Sequence, residues 1–119
     1  MMEIRSETDY ATHHIQKIAG FLSAMQNFAT ELKLKNHQVI YFHLNDSTNL
    51  QAFDKNLLQL IEKENFTHFE YQFPDEYRLD ELLKNFCQTL SISTSVVDSE
   101  HFMSSRNELG EFFEGKKHF

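Results

Sequence analysis

The spacing of the apolar residues changes repeatedly along this 119-residue chain, and this change limits the fold more than any other feature. From Ile15 to Leu32 the apolar residues recur at three- and four-residue steps, which places them on one face of a helix. Val39 to Leu44 is instead a β-branched and aromatic run of strand length. Because the alternation continues to the end of the chain, the sequence predicts an α/β fold with a three-layer, doubly wound and mainly parallel sheet.

The predicted order is strand and helix three times, then a strand and a terminal helix, within a single domain of residues 1–119. Strands are expected at Met1–Arg5, Val39–Leu44, His68–Phe73 and Ile92–Val97. Long helices are expected from Ile15, from Phe53 to near Asn65, and around Leu79–Leu90. The expected caps are Asp9 or Thr12 for the first helix, Asp75 for the third, and a Ser105–Glu108 capping box for the last.

Composition restricts the partners of this chain. Its net charge is −7 and its eleven Lys and Arg residues are scattered, so direct DNA binding is not expected. The sequence has neither an apolar run of membrane-spanning length nor a signal-peptide pattern, and we therefore expect a cytoplasmic protein without membrane contact. The single Cys87 lies at an apolar helix position, which favours an inert core thiol over a cluster ligand.

Several common chemistries lack their motifs here. Gly20, Gly110 and Gly115 are too far apart for a glycine-rich phosphate loop, and no HExxH or CxxC motif occurs. His13 and His14 are adjacent, so on a helix they point in different directions and do not chelate one ion. No nucleophile–base arrangement can be read from spacing. The aromatic residues around the third strand could stack bases but fit a core better; they are Phe66, Phe69, Tyr71, Phe73 and Tyr77.

The segment after the first predicted strand carries acidic and phenolic side chains, namely Glu7, Asp9 and Tyr10. Ligands of open α/β domains bind beyond the carboxyl ends of strands, so a site is expected there. Glu7 and Asp9 could act as paired carboxylates, but Asp9 fits a helix cap better. For Glu7, a ligand contact and a structural turn carboxylate are both open.

The amino-acid sequence of this segment also resembles that of a known family, and three later blocks resemble the same family in the same order and spacing. The chain is similar to the amino-terminal domain of the deoxyribodipyrimidine photolyase-related proteins, the iron–sulfur bacterial branch of the cryptochrome and (6–4) photolyase superfamily. The blocks are Glu7–Ile18 continuing through Phe21–Met25 and Phe28-Ala29, Val39–Asp46 with Phe53, Pro74–Arg78, and Asp98–Ser105.

The resemblance implies a Rossmann-like domain that holds an antenna chromophore of the 6,7-dimethyl-8-ribityllumazine type. Glu7 and Tyr10 match family positions that contact the chromophore, while His14 and Lys17 match neighbouring positions without an assigned role. FAD, the iron–sulfur cluster and the surface for damaged DNA are expected only in the full-length family. The family's first strand, with its Gly-Asp-Gln turn, is absent, so we expect a fragment and a non-catalytic domain.

Two other functions stay open at the level of sequence. The first is a protein-interaction module without a ligand, such as a homodimer, because a missing neighbouring strand would expose a sheet edge. The second is a small stand-alone nucleotide-binding enzyme, against which stand the missing phosphate loop and the missing nucleophile–base pair.

Overall fold

The computed structural model describes residues 1–9, 11–99, 101–105 and 107–115. The helices are α1 (Ile15–Leu34), α2 (Phe53–Glu64), α3 (Tyr77–Thr89) and α4 (Glu108–Phe113), and the strands are β1 (His68–Gln72) and β2 (Ser93–Val97). The chain divides into two compact units, Met1–Asn65 and Phe66–Phe119, which are described separately below. The alternation of elements confirms an α/β chain with parallel strand pairing, whereas the three-layer, doubly wound arrangement stays a prediction.

In the first unit, the apolar period of α1 produces the expected helix. Ile18, Leu22 and Met25 are half-buried along one face and Ala29 is buried. The predicted caps Asp9 and Thr12 are wrong, because the residue before the helix is His14, whose Nδ1 accepts a 3.2 Å hydrogen bond from the Gln16 N–H. A side-chain acceptor at this position satisfies one of the unpaired donors of the first turn.

The two strands predicted in this unit are shortened to a single parallel bridge between Met2 and Phe42. The bridge consists of hydrogen bonds from the Glu3 N–H to the Phe42 carbonyl at 2.9 Å and from the Phe42 N–H to the Met1 carbonyl at 3.0 Å. Beyond the bridge, side-chain hydrogen bonds replace the backbone hydrogen bonds that a pair of strands would make. The Asn49 amide donates to the Glu3 carbonyl, and the Leu44 N–H donates to the Glu3 carboxylate. Arg5–Glu7 then turns as a short 3-10 helix, so the prediction of a strand to Arg5 is wrong at its end.

Helix α2 ends as the sequence predicts. Asn65 follows it in the left-handed conformation, with φ 55°, and its N–H bonds back to the carbonyls of the last turn. Asparagine tolerates this conformation better than most residues with a Cβ. The buried face of α2 contains Ile61 and a fully buried Asn56.

The second unit is a strand–helix–strand motif with its core between the sheet and α3. β1 and β2 pair in parallel, with Phe69 opposite Thr94. The ring of Phe69 meets the ring of Phe86 edge to face, with 5.8 Å between centroids, and Leu83 is buried on the same helix. The aromatic cluster predicted as core is only partly so. Phe66 and Tyr77 are exposed, at 45% and 78%.

The predicted cap of α3 is wrong by one residue. Glu76, not Asp75, precedes the helix, and its carboxylate accepts from the backbone N–H groups of Arg78 at 3.0 Å and Leu79 at 3.1 Å. Asp75 is engaged elsewhere, with His101. The capping box predicted for α4 is wrong in its cap, because Asn107 precedes the helix and makes no side-chain cap bond. Only one bond of the box is present, from the Ser105 N–H to the Glu108 carboxylate at 3.2 Å. Among the described residues, no helix has the length and apolarity needed to span a bilayer.

Candidate functional site

A cleft of about 230 Å³ lies in the first unit where the 3-10 turn faces the first half of α1. Glu7 and Thr8 form one wall. The other wall comes from α1 and the residues that precede it, namely His13, Lys17, Ile18, Phe21 and Leu22. The cleft therefore combines an apolar surface with an acidic residue and a basic residue at its sides.

The turn that presents Glu7 is fixed by its own backbone. The N–H groups of Thr8 and Asp9 both donate to the Arg5 carbonyl, at 2.9 and 2.8 Å. The Thr8 hydroxyl lies 3.0 Å from an Asp9 carboxylate oxygen and donates to it. From outside the turn, the Gln51 side-chain oxygen accepts from the Arg5 N–H at 3.2 Å. The turn, with Glu7 at its end, is thus tied to the loop before α2.

The helical wall follows from residue spacing on α1. Lys17 and Phe21 are four residues apart on α1, as are Ile18 and Leu22, so the two pairs lie side by side on one surface, and His13 adjoins them from the segment before the helix. The Lys17 Nζ is 3.5 Å from the His13 Nδ1. The Phe21 ring is 65% exposed, which leaves it accessible to a ligand. A flat aromatic group could lie on this surface with its polar edge toward Glu7 or Lys17.

A buried carboxylate, Glu3, supports the chain segment that leads to this turn. Glu3 is only 4% exposed. Its Oε1 accepts from the Gln26 amide at 2.7 Å and from the Tyr41 hydroxyl at 2.8 Å, and its Oε2 accepts from the Leu44 N–H at 2.8 Å. Burial raises the pKa of the Glu3 carboxyl, but these hydrogen bonds and the nearby His43 outweigh burial and hold the pKa below its ordinary value.

Two buried asparagines extend this network. The Asn49 amide donates to the Glu3 carbonyl at 2.7 Å and to the His43 carbonyl at 2.9 Å. The Asn56 amide donates to the Asn49 side-chain oxygen at 2.8 Å, while the Asn56 oxygen accepts from the Leu50 N–H at 2.8 Å. The opening segment is thus held by side chains from three distant parts of the chain. We refer to Glu3, Gln26, Tyr41, Asn49 and Asn56 as the Glu3 network.

Comparison with known proteins finds a family match over the full length of the chain. The family of deoxyribodipyrimidine photo-lyase-related proteins matches residues 1–119. The chain belongs to this family. A (6-4) photolyase from Agrobacterium fabrum (strain C58 / ATCC 33970) is 27% identical over 117 residues, which cover 98% of this chain and 23% of that protein. The photolyase-related chain thus spans about a quarter of the length of the curated relative that it matches.

The resemblance predicted from four sequence blocks is therefore confirmed, whereas the roles of the predicted site residues stay predictions. Glu7 lines the cleft. Tyr10 lies outside the described residues. Asp9 accepts a hydrogen bond from Thr8 within the turn, and His14 begins α1 as its cap. From the sequence, Lys17 and Phe21 had no assigned role and His13 was considered only with His14 as a metal ligand, whereas in the structure all three line the cleft with Glu7.

A larger groove, of about 410 Å³, lies in the same unit of the photolyase-related chain, between residues 40–48 and α2. Its polar side chains include Asp46, Gln59 and Lys63. The family resemblance points to no residue of this groove as a ligand contact. The smaller cleft is the better candidate because it contains Glu7 at the end of the opening segment.

The second unit brings three polar side chains together beyond the ends of its strands. The His101 Nδ1 lies 2.7 Å from an Asp75 carboxylate oxygen, and the Ser99 hydroxyl donates to the other oxygen at 3.4 Å. Ser99 is buried, whereas His101 and Asp75 keep 61% and 43% of their side chains exposed. These contacts tie the loop after β1 to the loop after β2. Within the part of the chain that the structure describes, no group of His, Cys, Asp and Glu residues could hold a metal ion.

The cofactors of the wider family differ in how they fit this chain. A cluster ligated by four cysteines does not fit, because the sequence contains one cysteine, Cys87. Burial raises the pKa of the Cys87 thiol, and a hydrogen bond with Thr94 opposes this only in part. The cleft holds a carboxylate and an ammonium group, from Glu7 and Lys17, beside its apolar lining.

Proposed function

We propose that this chain is a non-catalytic antenna-type domain of a photolyase-related protein and that its cleft binds a lumazine-type chromophore. The observation that carries the proposal is that Glu7 lines the same cleft as the apolar side chains of Ile18, Phe21 and Leu22. A carboxylate accepts hydrogen bonds from ring N–H groups and from ribityl hydroxyls, while the apolar surface packs against a ring face. Tyr10 is proposed as a second contact of the same chromophore.

The proposal also covers the activity of the full-length protein to which this domain would belong. In a full-length protein, repair of ultraviolet-damaged DNA by light and FAD would take place outside this chain, and the domain would collect light for it. Binding of the chromophore does not depend on that chemistry, so this chain can be tested alone.

Titration with 6,7-dimethyl-8-ribityllumazine, followed by its fluorescence, tests the proposal. We expect saturable binding by the wild-type chain and binding at least about 10-fold weaker in Glu7→Ala, because the variant loses an ionised acceptor. Glu31→Ala, a change of the same kind at an exposed position of α1, should bind like the wild type. A wild-type chain that leaves the fluorescence unchanged would refute the antenna role but not the family membership.

A second candidate function, self-association through α1, is favoured by exposed apolar side chains. Phe21 and Phe28 are seven residues apart on one face of the helix and are 65% and 58% exposed. Exposed patches of this kind mark interaction sites. Light scattering across a wide concentration range tests it. A dimer in the wild type that Phe28→Ser converts to a monomer supports the second candidate, and a monomer at all concentrations excludes it.

A further inference from the structure

We infer that the free edge of β2 is a self-association site, at which the β2 strands of two copies of this chain pair antiparallel across Ser95. The inference does not depend on the proposed antenna function or on the exposed face of α1, because it concerns the second unit and the backbone groups of one strand. A dimer of this kind joins the sheets of both copies into one.

The backbone hydrogen bonds of the sheet show which groups of β2 point to its free edge. The Phe73 N–H donates to the Val97 carbonyl at 2.9 Å. Because alternate residues of a strand bond to the same neighbour, Val97 and Ser95 bond toward β1, whereas the N–H and carbonyl groups of Thr94 and Val96 point away from it. Within the part of the chain that the structure describes, no third strand pairs with β2, so this edge is open.

The side chains of β2 do not protect the open edge. Thr94 is exposed, and Val96 and Val97 are 39% and 45% exposed. The strand Ser93–Val97 contains neither a charged residue nor a proline, the residue types that proteins place on edge strands to prevent pairing. An open, uncharged edge rich in β-branched residues is therefore suited to pairing with another chain.

Self-pairing suits β2 better than β1. Two identical edges related by a twofold axis pair antiparallel, so each strand meets itself in reverse. On β1, a pairing centred on the middle residue would place the Glu70 carboxylate opposite the same carboxylate of the second copy, and like charges directly opposite each other are destabilising. On β2 the middle residue is Ser95, which is uncharged. The absence of charge thus allows β2 to accept a second copy of itself.

A twofold axis at Ser95 satisfies the outward backbone groups of both strands. Thr94 of each copy then lies opposite Val96 of the other, and each of these pairs exchanges both of its backbone hydrogen bonds. Ser95 faces its own counterpart as a non-hydrogen-bonded pair, with about 4.5 Å between the Cα atoms. The nearest charged residue, Asp98, lies about 20 Å from its counterpart, because it is three positions from the axis on each strand.

The charge of the whole chain opposes the association and makes it dependent on salt. Two copies that each carry a net charge of −7 repel each other, and salt screens this repulsion. The paired strands are also much smaller than a standard protein interface of about 1,600 Å². We therefore expect a weak dimer, which forms at high protein concentration and becomes more stable as the ionic strength rises.

Disulfide formation between single-cysteine variants tests the register. In a Cys87→Ala background, Ser95→Cys should form a disulfide between two copies, because Cα atoms about 4.5 Å apart suit disulfide geometry. Ser93→Cys is the matched control, since both serines lie on one face of β2 and contact the His68 ring. Its counterpart lies about 14 Å away in the dimer, so it should cross-link at least about 10-fold more slowly. Circular dichroism verifies that each variant folds.

Sedimentation equilibrium at low and high ionic strength, up to about 1 mM protein, measures the association itself. The wild type should dimerise, and Val96→Lys should dimerise at least about 10-fold more weakly because it places a charge on the edge. Gln72→Lys, which adds the same charge to β1, and Phe28→Ser, which alters the face of α1, should both behave like the wild type.

A monomer at every concentration, or equal cross-linking rates for the two serine variants, would overturn the inference. Loss of the dimer in Phe28→Ser but not in Val96→Lys would place the interface on α1 and would also overturn it. Binding of the lumazine is measured separately, so none of these results bears on the proposed antenna function.

Discussion

The Tyr41 hydroxyl donates a 2.8 Å hydrogen bond to the buried Glu3 carboxylate, and this contact joins residues that are 38 positions apart in the chain. It connects the opening segment to the segment that follows α1. Neither segment forms a regular strand beyond the bridge between Met2 and Phe42. In the first unit, side-chain hydrogen bonds therefore replace some of the backbone hydrogen bonds of a sheet.

Tyr41 should remain protonated at alkaline pH when other tyrosines ionise. Burial, the hydrogen bond to Glu3 and the negative charge of Glu3 raise the pKa of Tyr41 far above the ordinary value of 10.0. A group with a raised folded pKa stabilises the fold below its unfolded pKa, and this contribution is lost as the pH rises above that value. In an ultraviolet absorbance titration, the wild type and Tyr41→Phe should therefore show the same change in absorbance up to about pH 11. A larger change in the wild type than in Tyr41→Phe over this range would contradict the prediction.

Glu3→Gln should lower the free energy of unfolding by about 2 kcal/mol near neutral pH. The glutamine has only one acceptor oxygen, so its amide group would face either the Leu44 N–H or the donors from Gln26 and Tyr41. Because the folded pKa of Glu3 lies below 4.5, its stabilisation is complete above that value and is lost as the pH falls through the folded pKa. Urea unfolding at neutral and acid pH measures both effects. The variant should lose less stability on acidification than Glu62→Gln, an exposed control on α2.

Asn56→Ala should cost about 2–3 kcal/mol, because the side chain is fully buried and makes two hydrogen bonds of 2.8 Å that alanine cannot replace. The substitution leaves the Leu50 N–H and the Asn49 side-chain oxygen without their bonds to Asn56. Thermal and urea unfolding give the loss. Asn27→Ala, on the exposed surface of α1, should change stability by less than about 0.5 kcal/mol. Similar values for the two variants would show that the Asn49–Asn56 contact is unimportant.

Glu76→Ala should destabilise the chain by about 1 kcal/mol, because the glutamate accepts two hydrogen bonds at the start of α3. Asp75→Ala tests the alternative assignment. It should leave the first turn of α3 intact while disrupting the contact with His101, which nuclear magnetic resonance of the His101 ring would detect. The cap assignment is wrong if the amide protons of Arg78 and Leu79 lose protection in Asp75→Ala rather than in Glu76→Ala.

The Cys87 thiol should react slowly with a disulfide reagent in the folded chain. It is half-buried, and burial raises its pKa above 9.0, so the reactive thiolate is scarce at neutral pH. Ellman's reagent should modify the native chain at least about 10-fold more slowly than the urea-unfolded chain. Equal rates would mean that Cys87 is accessible and would contradict its interpretation as an inert core thiol.

The helices and the second pair of strands could be predicted from sequence because their apolar periods are local properties. α1, α2, α3, β1 and β2 all appear within a few residues of the expected positions. The predicted strands around Met2 and Phe42 are shorter, since the Glu3 carboxylate and the Asn49 amide bond to backbone groups that a neighbouring strand would otherwise pair. The identity of those side-chain partners depends on tertiary structure, so local propensity could not indicate it.

The residues of the candidate site could likewise be predicted only in part. Glu7 was found because it follows the opening segment and matches a family position. His13, Lys17 and Phe21 line the same cleft as Glu7 because the chain turns back between the 3-10 helix and α1, and the sequence does not show the direction of that turn. The cap of α3 was misassigned for a similar reason, since the carboxylate of Asp75 bonds to His101, a residue 26 positions away. Capping preferences rank residue types, but they do not show which carboxylate is already engaged.

The Glu3 network also carries a consequence for sequence divergence. One buried carboxylate accepts hydrogen bonds from the Gln26 amide and the Tyr41 hydroxyl, so replacing Glu3 removes the acceptor of both donors, and replacing either donor removes a hydrogen bond from a buried charge. Stepwise drift at these positions is therefore costly, whereas coordinated replacement by apolar residues is tolerated. In an alignment of close homologues, positions 3, 26 and 41 should covary, and that covariation would reveal the contact without any structure.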